Sequence, residues 1–248
     1  MAQIIAVAVV KGGTAKTTTC AVLAQAAIHE GKRVLCIDLD AQCNLTRTIG
    51  GDPTGAGAVE LLHHTKPASD LIQTTEQGID IIPAHVDLAL EVSDEGGSFY
   101  RLEQAIKPIK RQYDVILIDT PPRLSEVTYN ALQAATGLLI PLETDVNSLQ
   151  GMYQIIDVAD LFKKSNPKLK ILGCVITRYD KRSKFNRYMQ EQITIKGKEN
   201  KCPLLCEIRQ GVVIKEAQAL QVSLFDYAPN SNPAIDYMAL YNLIIKTK

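Results

Sequence analysis

Residues Lys11-Gly12-Gly13-Thr14-Ala15-Lys16-Thr17-Thr18 lie between the apolar run Ile4 to Val10 and a helix-like segment from Thr19 to Glu30. A strand, a glycine-containing turn and a helix start, in that order, restrict the chain more than any other stretch. The free amides of a helix N-terminus and those of the turn converge on one spot and make a cradle for an anion. Gly12 and Gly13 let the backbone close on that anion with no side chain in between. Strands alternating with helices imply an α/β fold, a doubly wound, mostly parallel sheet with helices on both faces. At 248 residues and 46% hydrophobic content, the chain can bury a full core, and a single domain over 1–248 is expected.

The stretch departs from the phosphate-loop pattern G-x-x-x-x-G-K-[ST], because Val10 holds the first glycine position and Ala15 the last. In that pattern Lys16 reaches the β- and γ-phosphates and Thr17 gives its hydroxyl to Mg²⁺. Lys11 adds what the pattern lacks. The form K-G-G-x-x-K-T-[ST] resembles the deviant Walker A box of the ParA/MinD/nitrogenase-iron-protein class of P-loop ATPases. The resemblance implies nucleotide contacts from Lys11, Gly12, Gly13, Thr14, Ala15, Lys16, Thr17 and Thr18.

After a stop at Gly31, Arg33 to Asp38 reads as a buried parallel strand ending in acid. Asp38 to Thr46 leaves its carboxyl end, the edge where ligands sit in open α/β sheets. This segment looks like the family's D-x-D-P-Q-x-N-x-T switch, with Ala41 where proline is usual. By that resemblance Asp40 orients the attacking water and Asp38 lies in the Mg²⁺ shell. Tyr113 to Pro122 is another central strand, and Asp119 emerges from it in the Walker B arrangement, where Mg²⁺ and its waters lie. Its phrase D-V-I-L-I-D-T-P-P is close to the ParA consensus, and Asn130 to Ala135 continues the family's N-A-L-x-A-A helix.

Between these landmarks, Gly50 to Asp80 reads as a surface excursion holding a short helix at Ala58 to Leu62. Ile79 to Pro83 is the third expected strand, followed by a short helix from Val86 to Glu91 and a flexible Ser93 to Gly97 loop. Tyr100 to Ile109 is amphipathic, with Leu102, Ala105, Ile106 and Ile109 on one face. Further strands are expected at Gly137 to Pro141 and Ile171 to Thr177, flanking a long helix from Val146 to Lys164. A last helix runs from Ala234 to Ile245, with Asn232 as its N-cap and Pro233 in its first turn. Thr177-Arg178-Tyr179-Asp180 occupies the position where relatives contact the base, so the resemblance puts Arg178 near the adenine.

Lys and Arg total 27, as do Asp and Glu, so no global basic field draws the chain to nucleic acid. The charges are nonetheless unevenly spread: Lys163 to Lys215 holds 14 Lys or Arg against 4 Asp or Glu. Lys181, Arg182, Lys184 and Arg187, then Lys196 and Lys198, are candidate phosphate contacts. Arg209 and Lys215 lie in a tail similar to the family's I-P-R-x-V-R-L-x-E-A, but Gln210 and Val213 stand at its two later arginine positions. The six cysteines are scattered and read as small apolar residues. There is neither an apolar run of membrane-spanning length nor a leader, so a soluble cytoplasmic protein is expected.

The resemblance covers nearly the whole chain and implies Mg²⁺-dependent ATP hydrolysis carried by Lys11, Lys16 and Asp40. It also implies a homodimer with ATP between the subunits, each Lys11 reaching its neighbour's phosphates. That dimer would coat DNA non-specifically on the nucleoid, without stable membrane association, until a ParB-like partner stimulates hydrolysis. Two alternatives stay open: a membrane-associated positioning ATPase of the MinD kind, and a positioner of a protein cargo.

Overall fold

The structure is a computed structural model and describes residues 2–89 and 98–245. In chain order its elements are β1 (Gln3–Val7), α1 (Lys16–His29), β2 (Val34–Asp38), α2 (Asn44–Thr48), α3 (Ala58–His63), β3 (Gln73–Thr74) and β4 (Asp80–Ile82). There follow α4 (Arg101–Ile106), β5 (Val115–Asp119), α5 (Glu126–Ala134), β6 (Gly137–Leu142), α6 (Val146–Phe162), β7 (Lys170–Tyr179) and α7 (Lys184–Glu199). The chain continues through β8 (Leu204–Arg209), α8 (Val213–Ala219), α9 (Leu224–Tyr227) and α10 (Asn232–Ile244).

One eight-stranded sheet, ordered β3-β4-β2-β5-β1-β6-β7-β8, takes up all the strands among the described residues. Every pairing is parallel except the β3–β4 hairpin. Strands covered on both faces cannot alternate polar with apolar residues, which is why VLCID, VILID and GLLIPL read as continuous apolar runs. Successive side chains go to opposite faces. Ile4, Ala6, Leu35, Ile37, Ile116 and Ile118 belong to one core with α3 to α6, while Ile5, Val7, Val34, Cys36, Val115 and Leu117 join α1 and α10 in the other. Helix α1 is apolar nearly all round because it lies between the sheet and α10, where Tyr237 and Tyr241 are fully buried.

The expected strands and helices are present, with three differences of substance. Two strands escaped the pattern: β3 has only two residues, and β8 is a half-buried edge strand whose LLCEIR run is broken by Glu207. The helix expected over Tyr100 to Ile109 ends at Ile106, since Pro108 has no amide to continue the ladder, and a 3-10 turn at Lys110–Gln112 follows. Ser231, not Asn232, caps α10, its hydroxyl accepting from the Ala234 amide. The segment at Val86–Ala89 is a 3-10 turn; its expected continuation to Glu91 and the Ser93 to Gly97 loop lie outside the described residues. Among the described residues no helix is long and apolar enough to cross a membrane. All six cysteines are free, and only Cys206 is not buried.

Helix α3 is pinned to the end of β4 by the Ala58 amide on the Pro83 carbonyl, 2.8 Å away. A Cβ on Gly57 would stand 2.1 Å from that same oxygen, whereas one on Gly55 would meet nothing within 4 Å. Gly57→Ala should therefore cost about 2–3 kcal/mol by overpacking, and Gly55→Ala should stay within about 0.5 kcal/mol of the parent. Denaturant unfolding of the two variants checks this; equal stability would contradict the described approach of α3 to β4.

Candidate functional site

Parallel pairing puts the carboxyl ends of the central strands at one edge, with Val7 and Asp38 each in register with Asp119. The chain leaves β1 there and turns through Gly13, at φ +78°, and Ala15, at φ +63°, before α1 begins. The Ala15 carbonyl takes the Thr19 amide at 2.8 Å, so the amides of the first helical turn have no partner within the helix. Lys16 folds back across the loop and donates to the Lys11 carbonyl at 2.9 Å. Burial lowers its pKa, opposed by the nearby Asp119 and Asp40 carboxylates. In front of this turn lies a cavity of about 450 Å³ lined by Gly12 to Thr18, Asp40, Gln42, Asn44, Pro122 and Arg178.

At the floor of the site the Thr17 hydroxyl donates to Asp119 Oδ2 at 2.6 Å. Asp119 Oδ1 is buried and has no hydrogen-bond partner among the described residues. Burial drives the Asp119 pKa well above the usual carboxylate range, and the neighbouring Asp38 adds to this. Burial likewise raises Asp38 to about 6, against the hydrogen bonds it receives. Asp38 Oδ2 accepts from the Thr46 amide and hydroxyl at 2.9 and 2.8 Å, and Oδ1 accepts from the Asp40 amide at 3.1 Å. It thus fastens the following segment to the strand end while keeping negative charge beside Asp119. A bare carboxylate oxygen next to a hydroxyl, with a second acid behind, suits a hard cation that takes oxygen ligands. Thr17 and Asp119 offer the direct donors, and Asp38 reinforces the field. Asp40 is only partly buried at the cavity wall, where its Oδ1 receives the Gln42 amide at 3.1 Å.

Lys11 lies at the rim, turned toward its own α6. Its ammonium contacts Asp145 and, at 3.4 Å, the Ser148 hydroxyl. Asp145 is also the N-cap of α6, its Oδ1 accepting from the amides of Asn147 and Ser148 at 2.9 and 3.1 Å. Gly151 allows this proximity: a Cβ there would stand 3.1 Å from the Val10 carbonyl.

Arg178 stands at the cavity wall, as the sequence expects, and its side chain also holds the loop. It adopts φ +53°, and its Nη1 donates to the Gly13 carbonyl at 3.1 Å and to Glu143 at 2.7 Å. A guanidinium with a carboxylate and a loop carbonyl in reach folds back on the loop. Beside it a second cavity of about 280 Å³ runs between Thr18, Arg178, Gly211, Lys215, Gln218 and Tyr237. Asp145, Glu143 and Gln218, which hydrogen-bonds Thr18 at 3.3 Å, were not singled out from sequence. An Asp ahead of an apolar helix is a readable cap, so Asp145 could have been found; nothing local marks Gln218.

The basic residues proposed for phosphate binding divide into two sets. Arg182 pairs with Asp180, Lys196 with Glu199, and Arg209 with Asp236 through two contacts of 2.9 and 2.7 Å. Arg187 donates to the Lys181 carbonyl at 2.6 Å. Lys181, Lys184, Lys198 and Lys215 have no ion pair among the described residues. Lys184 and Lys198 stand near opposite ends of α7, roughly 21 Å apart at 1.5 Å per residue, so the unpaired lysines form a spread surface rather than one patch.

Residues 2–171 match a family model described as an AAA domain. The chain is 31% identical to the chromosome partitioning protein ParA of Myxococcus xanthus, over 98% of this chain and 88% of that one. It is 31% identical to the sporulation initiation inhibitor protein Soj of Bacillus subtilis, over 97% of each. Among solved structures, cobyrinic acid a,c-diamide synthase from Mycobacterium smegmatis with bound ADP and magnesium superposes with a TM-score of 0.82 at 30% identity, covering 98% of this chain and 93% of that one.

Ala15 holds a left-handed conformation that costs a residue with a Cβ about 1–2 kcal/mol. Ala15→Gly should raise stability by about 0.5–1 kcal/mol, part of the relief being offset by a freer unfolded chain. A melting temperature higher by about 2–3 °C is expected. A drop would mean that the loop does not hold this conformation.

Proposed function

Because the chain belongs to the ParA family of P-loop ATPases, we propose that it hydrolyses ATP with Mg²⁺ and uses the nucleotide to pair two copies that bind DNA. The observation that carries the ATPase reading is the Thr17–Asp119 contact beneath the loop, with Asp119 Oδ1 left bare and buried. Thr17 and Asp119, with Asp38 behind them, would hold Mg²⁺, which would supply positive charge at the phosphate oxygens.

The chain's own groups divide the rest of the work. The loop and first-turn amides receive the phosphates. Lys16 exchanges the Lys11 carbonyl for phosphate oxygens, and its partial burial strengthens that attraction. Asp40, partly buried at the cavity wall, accepts a hydrogen bond from the attacking water and orients it. Lys11 belongs to the neighbouring subunit's phosphates in the paired state. To get there it must leave Asp145, an exchange costing at most about 1 kcal/mol for a partly exposed pair. A cation that meets phosphate only across an interface links triphosphate occupancy to pairing.

For DNA we assign Lys181, Lys184, Lys198 and Lys215, the candidate lysines that have no ion pair among the described residues, with Arg187 beside the first two. Pairing two subunits doubles this dispersed surface, and contacts to phosphates alone are blind to sequence and sensitive to salt. A ParB-like partner would speed hydrolysis and release the DNA. The fold does not set the cargo, since the cobyrinic acid a,c-diamide synthase structure shares it under a different activity.

Lys11→Ala should leave ATP binding by the single subunit intact and remove ATP-dependent pairing. Asp145→Asn keeps the cap oxygen but frees Lys11 in both subunits, so pairing should tighten up to about thirtyfold, ~1 kcal/mol for each of the two contacts released. Sedimentation with ATP, ADP and no nucleotide reads both; unchanged ATP-dependent pairing in Lys11→Ala refutes the cross-subunit role. In gel-shift assays, wild type and Asp40→Ala should bind unrelated duplexes with ATP but not ADP, and weaken steeply as salt rises. Binding that ignores ATP or selects one sequence would remove the DNA assignment.

A further inference from the structure

Two consecutive carbonyls of the phosphate loop are held from the end of β7. Arg178 Nη1 donates to the Gly13 carbonyl at 3.1 Å, and the Thr177 hydroxyl donates to the Thr14 carbonyl at 3.2 Å. Each donor is shared with a second acceptor, the single Thr177 proton between two carbonyls and the Arg178 amino group between a carbonyl and a carboxylate. Thr177 Oγ1 is also 3.2 Å from the Leu142 carbonyl, and the same Arg178 nitrogen is 2.7 Å from Glu143, just past the end of β6. Arg178 keeps a left-handed backbone, a conformation that costs a side-chain-bearing residue about 1–2 kcal/mol and persists where neighbours over-determine it.

A trans peptide points its N–H opposite to its C=O. Fixing the Gly13 and Thr14 carbonyls toward β7 therefore turns the Thr14 and Ala15 amides to the other side. Without such a hold, the Gly12-Gly13 pair leaves the Gly13–Thr14 peptide plane free to rotate, because glycine accepts either sign of φ. Donors fixed before the ligand arrives lose no orientational freedom on binding, and that gain is in affinity.

We infer that Arg178, oriented by Glu143, is a positioning residue for the phosphate cradle and not a reader of the base, with Thr177 as its partner on the adjoining peptide. The inference rests on the nucleotide reading above and adds to it: the β6 and β7 ends shape the loop. Charge is part of the device, because Glu143 holds the guanidinium at the carbonyl and keeps it from pairing with a phosphate itself.

The test measures Kd for ADP, GDP and inorganic pyrophosphate, each with Mg²⁺, by calorimetry on wild type, Arg178→Ala, Arg178→Lys, Glu143→Gln and Thr177→Val. Arg178→Ala should weaken ADP and pyrophosphate alike, by roughly five- to tenfold, and leave the ADP-to-GDP preference unchanged. Arg178→Lys should recover much of the loss, since an ammonium can still bridge the two oxygens, while Glu143→Gln and Thr177→Val should each cost roughly two- to fivefold in the same pattern. Should Arg178→Ala fail to fold, Glu143→Gln and Arg178→Lys decide the question. Loss confined to ADP, an altered ADP-to-GDP preference, or variants that bind as wild type does would overturn the inference. Wild type that binds no nucleotide and no pyrophosphate would instead sink the nucleotide reading itself.

Discussion

A buried carboxylate is among the most costly groups for a folded chain to hold, and Asp119 is one. It is fully buried at the end of a central strand, with one oxygen on Thr17 and the other bare. Asp38, in register on the next strand, adds a second buried acid beside it. An isolated charge in such surroundings is either neutralised by a proton or matched by a cation, and the raised pKa values of both acids express that tension. The surrounding groups can be read as a response to it. Lys16 lies close enough to pull against the shift, and the loop amides wait for an anion that would bring its own metal. A magnesium nucleotide satisfies both needs at once, which neither a free anion nor a free cation would do.

The same edge of the sheet holds a second, looser arrangement. Lys11 rests on Asp145, the cap of α6, at the rim of the cavity. That contact keeps the single subunit tidy, yet its partly exposed setting makes it weak enough to exchange. A tight buried pair would have locked the lysine away for good. A fully solvated one would have cost side-chain freedom each time it was recruited. The intermediate case leaves an ammonium held at the rim of the cavity and free to exchange for a stronger acceptor.

Much of this is legible in the amino-acid sequence, and the reason is local. The loop residues Lys11 to Thr18 are contiguous, and Asp38 and Asp119 each end an apolar run, so chain order alone brings them to one edge once the strands are parallel. What stayed hidden depends on contacts between distant segments. Glu143, Thr177 and Gly13 meet only because β6 and β7 flank the loop, so the contact of the Arg178 guanidinium with the Gly13 carbonyl is not legible in the sequence. The same blindness affected the basic region: the count of charges from Lys163 to Lys215 was sound, but Arg182, Lys196 and Arg209 are taken up by Asp180, Glu199 and Asp236. Strands β3 and β8 were missed because an edge strand that is short or half-buried lacks the unbroken apolar run that marks a central one.

The central claim is that a nucleotide site incomplete in one subunit is completed by the Lys11 of another. A crystal structure of Asp40→Ala with ATP and Mg²⁺ tests it most directly. The account predicts two subunits facing each other, each Lys11 withdrawn from Asp145 and bonded to the triphosphate of its neighbour. Bound ATP in a lone subunit, with Lys11 still on Asp145, would contradict it.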